Sequence, residues 1–159
     1  MKVLSVVGNR PQFIKSAPLS VALRERAIAE VVVHTGQHYD RELSQVFFEE
    51  LGLAEPAYRL EARTRDVGAM QPGIAAAIAR ERPDWVLGLG DTNSTLAGAR
   101  AAREVGLPLA HVESGLRSGD WSMPEERTRV EIDSYADLLL CPDERSADTL
   151  RREGVLGRI

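Results

Sequence analysis

Residues 85–95 read Trp85-Val-Leu-Gly-Leu-Gly-Asp91-Thr-Asn-Ser-Thr95, and the expected fold can be built outward from them. The apolar run that ends at Gly90 is typical of a strand buried on both faces, as in a parallel sheet. The hydroxyl and amide side chains that follow can cap the free N–H groups at the start of a helix. Asp91 is therefore predicted at the carboxyl end of a central strand, where open α/β sheets bind ligands.

A second strand of the same kind is predicted at Leu107-Pro-Leu-Ala-His-Val-Glu113-Ser-Gly115. The carboxyl ends of neighbouring parallel strands meet at one edge of the sheet, so Asp91 and Glu113 are expected to lie together. Carboxyl groups brought close raise one another's pKa, whereas nearby cations lower it. Such a pair can supply one group that donates a proton and another that accepts one.

Strands and helices are predicted to alternate along the whole chain. Strands are expected at 2–7, 30–35, 58–60, 85–90, 107–113 and 137–141, and helices at 11–26, 41–52, 74–82, 93–104, from 124 onward, and at 143–152. Pro18 is expected to interrupt or restart the first helix, and residues 63–68 to form a polar loop. The alternation predicts an α/β fold, a doubly wound parallel sheet with right-handed crossovers, in one domain spanning residues 1–159.

Composition and charge exclude several classes of protein. The net charge of −4 gives no reason to expect nucleic acid or an anionic membrane as a partner. The apolar residues 1–8 end far short of a membrane span. Cys141 is the only cysteine, which excludes an internal disulfide and favours a reducing, cytoplasmic setting. His34 and His38 straddle a glycine turn with no third ligand nearby, so no metal site is expected.

Cations are predicted at the same edge as the two carboxylates. Arg10 and Lys15 flank the turn before the first helix, whose N-terminus offers free N–H donors to an anion. Arg117 follows in the loop after Glu113. Glu125 is a third candidate acid, although acids are common in the first turn of any helix. These residue types indicate proton transfer on a phosphorylated or nucleotide-linked substrate, with a structural ion-pair network as the alternative.

Five blocks of sequence point to a known family. They are Gly8-Asn-Arg-Pro-Gln-Phe-Ile-Lys15, Thr35-Gly-Gln-His38, Gly90-Asp-Thr-Asn-Ser-Thr95, His111-Val-Glu-Ser-Gly-Leu-Arg-Ser-Gly119 and Pro124-Glu-Glu-Arg-Thr-Arg129. Together they resemble the non-hydrolysing UDP-N-acetylglucosamine 2-epimerases over essentially the whole chain. The resemblance implies one Rossmann-like half of a two-domain GT-B-type architecture. This chain would be the first domain, and the second, UDP-binding domain would lie outside it; Val155 to Ile159 resembles the start of a further segment.

The resemblance also implies a reaction, the reversible conversion of UDP-GlcNAc to UDP-ManNAc without metal or nicotinamide cofactor. UDP would be eliminated across C1–C2 to give a glycal, and re-addition would deliver the C2 proton to the other face. By the match, the catalytic carboxylates would be Asp91, Glu113 and Glu125. Substrate contacts would come from Arg10, Lys15 and Arg117, and Gln37 and His38 would match part of a regulatory substrate site.

Three features depart from the family pattern. The second domain, with most of the UDP contacts and a catalytic histidine, is missing from the chain, so the chain alone is expected to be inactive. The stretch 63–68 is charged where relatives are rich in glycine and serine. Asp40 stands where some relatives carry a further glutamine, which argues against allosteric control by UDP-GlcNAc.

Two other classes of function remain open at this point. The chain could be a non-catalytic binding or assembly module with the same fold, or half of a hydrolysing epimerase or a GT-B glycosyltransferase. The expected partners are a UDP-sugar and a complementing domain or chain. An uncovered wall of the site would also expose apolar surface, through which the chain could form a homo-oligomer.

Overall fold

A computed structural model describes residues 1–36 and 55–159 of the chain, and the elements are numbered over those residues. The strands are β1 (Lys2–Val7), β2 (Ala29–His34), β3 (Tyr58–Arg59), β4 (Trp85–Leu89), β5 (Leu109–Val112) and β6 (Leu138–Leu140). The helices are α1 (Arg10–Glu25), α2 (Val67–Glu81), α3 (Asn93–Val105), α4 (Pro124–Tyr135) and α5 (Glu144–Glu153). The helix predicted at 41–52, together with Gln37 and His38, lies outside the described residues.

The six strands form one sheet in the order β3-β2-β1-β4-β5-β6, and every pairing is parallel. The chain runs from β1 at the centre of the sheet through β2 to β3 at one edge. It then returns to the centre, where β4 pairs with β1 and begins the other half of the sheet. The order reverses between β1 and β4, a switch point of the kind at which α/β sheets bind ligands. The predicted doubly wound, Rossmann-like sheet is confirmed.

Apolar strands and small helical residues form the main core. Leu4, Val6 and Val86 have no exposed surface. Helix α3 approaches the sheet closely, since a Cβ added at Gly98 would lie 3.0 Å from a methyl carbon of Val6. This close packing holds the start of α3, and the Asp91 turn before it, against the strands. Among the residues that the structure describes, no helix is both long and apolar enough to cross a bilayer.

Two features of the helices differ from the prediction: the continuity of α1 and the start of α2. Helix α1 runs through Pro18 without a break. Pro18 and Ile14 are both exposed, so the Ile14 carbonyl that loses its helical partner can be solvated. Helix α2 begins at Val67 rather than Ile74, because the Asp66 carboxylate accepts a hydrogen bond from the Gly68 N–H and caps the helix. The polar stretch 63–68 is therefore only partly a loop.

Candidate active site

Asp91 and Glu113 meet at the carboxyl edge of the sheet, as their strands predict. β4 and β5 are paired with Leu89 opposite Val112, which places the two following turns side by side. A Cβ added at Gly90 would lie 3.2 Å from Oε2 of Glu113, so that carboxylate lies directly beside the Asp91 turn. The side chains of Asp91 and Glu113 are 28% and 29% exposed. Both can therefore reach a ligand from solvent.

The backbone at Glu113 is strained. Its φ is +69°, in the left-handed region that residues with a side chain seldom adopt. Hydrogen bonds hold this turn, because the N–H groups of Glu113 and Ser114 both donate to the carbonyl of Leu140. Such strain persists only where the surrounding contacts over-determine it, and it is commonest at functional sites.

Each of the two carboxylates is paired with one cation. Lys15 Nζ lies 2.7 Å from Oε2 of Glu113, and Arg129 Nη2 lies 2.5 Å from Oδ2 of Asp91. Lys15 extends from α1, as the sequence predicts, but Arg129 comes from α4 and was not among the predicted site residues. A local signal exists, because Arg129 stands at position i+4 from Glu125 and so on the same face of the helix.

An open cavity of about 410 Å³ lies at this edge of the sheet. Asp91 and Glu125 both line it, so the structure places Glu125 at the same cavity as Asp91. Asn9, from the turn after β1, and Arg65, from the loop before α2, line it as well. Arg10 is exposed at the start of α1, directly after Asn9.

Glu126 has a structural position, unlike its exposed neighbour Glu125. It is 1% exposed, and its carboxylate accepts hydrogen bonds from the N–H groups of Ser118 and Gly119 and from the Ser118 hydroxyl. Arg129 Nη1 donates to the same carboxylate at 3.2 Å. Burial opposes ionisation, but these hydrogen bonds outweigh it and lower the pKa of Glu126 from 4.5 to about 2. Glu126 thus anchors both the loop at Ser118 and Gly119 and the side chain of Arg129, which contacts Asp91.

Arg117 lies away from the carboxylate cluster. Its guanidinium pairs with Asp133 of α4 and with Glu153 of α5, each at 2.7 Å. It lines a separate cavity of about 610 Å³ beside α5. Burial works against the charge of Arg117, but the hydrogen bonds to Glu153 and Asp133 outweigh it and raise the pKa of Arg117. The structure therefore places this arginine in a bridge between helices, and its predicted contact with substrate stays a prediction.

A buried glutamine joins the first turn to the Asp91 turn. The Oε1 atom of Gln12 accepts from the Gly8 N–H at 2.8 Å, while Nε2 lies 2.9 Å from the Leu89 carbonyl and 2.9 Å from the Thr92 hydroxyl. Gln12 is 2% exposed. Sequence reasoning missed this role because a single neutral amide produces no charge or periodicity signal.

Comparison with known proteins identifies relatives of this chain. A family model described as UDP-N-acetylglucosamine 2-epimerase matches residues 21–158. The UDP-2,3-diacetamido-2,3-dideoxy-D-glucuronate 2-epimerase of Pseudomonas aeruginosa is 45% identical over 97% of this chain and 45% of its own length. The UDP-N-acetylglucosamine 2-epimerase of Methanocaldococcus jannaschii is 40% identical over 98% of this chain and 43% of its own.

Solved structures agree with the sequence comparison. The M. jannaschii UDP-GlcNAc 2-epimerase in complex with UDP-GlcNAc and UDP superposes with a TM-score of 0.90 at 39% identity, over 98% of this chain and 44% of that one. The structure of S. aureus MnaA with UDP superposes with a TM-score of 0.90 at 35% identity, over 96% of this chain and 42% of that one. The chain thus spans less than half the length of these relatives and has the fold of one half of their GT-B-type architecture. The chain belongs to the UDP-N-acetylglucosamine 2-epimerase family.

Proposed function

We propose that this chain forms one wall of the active site of an enzyme that interconverts UDP-GlcNAc and UDP-ManNAc. One observation carries the proposal: Asp91 and Glu113 lie side by side at the edge of the sheet, each beside a cation, and Asp91 lines an open cavity. Positioned carboxyl groups can remove and return a proton at carbon. Cations fixed nearby can stabilise the charge that develops on a departing diphosphate.

The proposed reaction is an elimination followed by an addition. A carboxylate takes the proton from C2, the C–H electron pair forms the C1=C2 double bond, and the C1–O bond breaks so that UDP leaves with its electrons. The glycal then receives a proton on the opposite face of C2 while a UDP oxygen bonds to C1. Because the two faces need groups on opposite sides, we assign the transfers to two of the three carboxyl groups of Asp91, Glu113 and Glu125. Arg10 and Lys15 are assigned to the substrate phosphate or sugar.

A second substrate is favoured by the relative from P. aeruginosa, whose name specifies a UDP-2,3-diacetamido-2,3-dideoxy-D-glucuronate. This compound also carries UDP at C1 and a hydrogen at C2, so the same elimination and re-addition apply to it. Comparing the rates at which the C2 hydrogen of each UDP-sugar exchanges with solvent decides between the two substrates.

Exchange of the C2 hydrogen for deuterium tests the proposal. In D₂O, this chain assembled with the second domain that the proposal requires should place deuterium at C2 of UDP-GlcNAc. Asp91→Asn should slow this exchange by about 10²-fold or more, since the amide cannot transfer the proton, and should leave the unfolding midpoint unchanged. Glu25→Gln, at the far end of α1, is the matched control and should exchange at the unaltered rate.

Other results would assign the protein differently. Normal exchange by Asp91→Asn removes Asp91 from the catalytic set. Release of free ManNAc indicates a hydrolysing enzyme, and transfer of the sugar to an acceptor indicates a glycosyltransferase. Binding of a UDP-sugar without exchange, or a stable complex with a protein partner and no turnover, favours the non-catalytic module.

A further inference from the structure

We propose that His111 is a positioning residue whose ring, protonated on both nitrogens, ties the Gly90–Asp91 turn to Asp133 of α4. The inference rests on the proposed function of Asp91. His111 lies within β5 and has no exposed surface. Its Nδ1 atom is 2.7 Å from Oδ1 of Asp133, and its Nε2 atom is 2.9 Å from the carbonyl oxygen of Gly90.

Both atoms that face the ring are hydrogen-bond acceptors. A backbone carbonyl cannot donate a proton, and the second oxygen of the Asp133 carboxylate, Oδ2, accepts from the Gly115 N–H and from Arg117. Burial opposes ionisation of Asp133, but the contacts with His111 and Arg117 outweigh it and lower the pKa of Asp133. A neutral ring would set one nitrogen lone pair against an oxygen lone pair in a buried site. Two N–H groups satisfy both contacts.

The charges around the ring balance one another. Asp133 lies between His111 and Arg117, and Arg117 has a second partner in Glu153 at 2.7 Å. Burial and the nearby Asp133 raise the pKa of the Cys141 thiol, so this neighbour adds no charge. Two cations therefore face two carboxylates, and no buried charge is left uncompensated.

The contact to Gly90 gives the ring its link to the reaction. Gly90 has no side chain to hold its turn, and its φ is +65°. Its N–H donates to the Val112 carbonyl at 3.0 Å, while its carbonyl, in the peptide bond that leads to Asp91, faces His111. The carbonyl of His111 itself accepts from the hydroxyl of Ser114, the residue after Glu113. The ring thus contacts the turn that carries Asp91, while the backbone of the same residue contacts the turn that carries Glu113.

Nitrogen NMR tests the protonation state directly. In the ¹⁵N-labelled protein, both ring nitrogens of His111 should carry a proton, since each faces an oxygen acceptor. The signals are assigned by their loss in His111→Gln or, if that variant does not fold, by through-bond connectivity. A ring with one unprotonated nitrogen would overturn the inference.

Steady-state exchange at C2 tests the positioning role. His111→Gln should lower kcat about tenfold or more while KM changes less than about threefold, because Asp91 is present but misplaced. His34→Gln is the matched control: it alters another buried histidine, outside the proposed site, and should lower the unfolding midpoint without lowering kcat. An unchanged kcat in the folded His111→Gln variant would contradict the inference.

The two proposals fail in different ways. Absence of exchange by the wild-type protein on any UDP-sugar refutes the proposed function and, with it, the kinetic role of His111. Exchange by the wild type together with a singly protonated His111, or with full kcat in the variant, refutes the positioning role alone.

Discussion

The two ion pairs of the candidate site differ in how firmly the chain holds the cation. Arg129 contacts both Asp91 and the buried Glu126, so its position is fixed from two sides. Lys15 is 47% exposed, and exposed pairs contribute only about 0–1 kcal/mol. Lys15 can therefore leave Glu113 at little cost, as its proposed contact with a substrate phosphate requires, whereas Arg129 is held beside Asp91.

The Glu126 carboxylate should stabilise the fold in a pH-dependent way. Glu126→Gln should lower the free energy of unfolding at neutral pH by about 1–3 kcal/mol, because charge-assisted hydrogen bonds to the loop and to Arg129 are lost. The folded-state pKa of about 2 is below the ordinary value of 4.5, so this stabilisation is present above 4.5 and disappears as the pH falls toward 2. Urea titrations of both proteins across this range measure the difference.

The neighbouring variant Glu125→Gln is the control for that experiment. Glu125 is exposed on the same helical turn, so its replacement should change the free energy of unfolding by less than about 0.5 kcal/mol. A gap between wild type and Glu126→Gln that stays constant from neutral pH to the acid range would contradict the assignment of Glu126.

At the scale of elements, helix α1 carries two prolines in different settings. Pro11 stands in the first turn, where its missing N–H has no helical partner to lose, and Asn9 caps the same end. Pro18 lies inside the helix on an exposed position. An interior proline removes a helical hydrogen bond, so this position is a local defect that the packing of the buried face tolerates.

Replacing the interior proline should stabilise the protein. Pro18→Ala should raise the free energy of unfolding by about 1–2 kcal/mol, since a helical hydrogen bond is restored and only part of the gain is offset by the freer unfolded chain. Pro11→Ala, the matched control, should change it by less than about 0.5 kcal/mol. Urea unfolding measures both, and equal effects from the two variants would argue against an interior defect at Pro18.

At the scale of the molecule, the candidate site is open. Asp91 and Glu113 are each more than a quarter exposed. The chain spans about 44% of the M. jannaschii structure that holds UDP-GlcNAc and UDP. Elimination of a charged leaving group benefits from excluded water, and a single wall leaves water in contact with both carboxylates.

This chain alone should therefore show no C2 exchange on UDP-GlcNAc. The chain joined to a second domain should exchange, and adding such a domain in trans should restore part of the rate. Near-UV circular dichroism of the isolated chain checks that it is folded before its activity is judged. Rapid exchange by the pure, folded isolated chain would show that its own wall is sufficient.

The sequence by itself determined the order of the elements and the edge of the sheet at which the candidate catalytic carboxylates lie. Apolar strands, helix caps and glycine turns are local signals, and parallel strands necessarily bring Asp91 and Glu113 to one side. Only the tertiary structure decided the pairing of charges: Lys15 with Glu113, Arg129 with Asp91, and Arg117 with Asp133 rather than with the site. It also separated buried Glu126 from exposed Glu125. These contacts join residues far apart in the chain, and packing, which local patterns do not encode, sets the direction of each side chain.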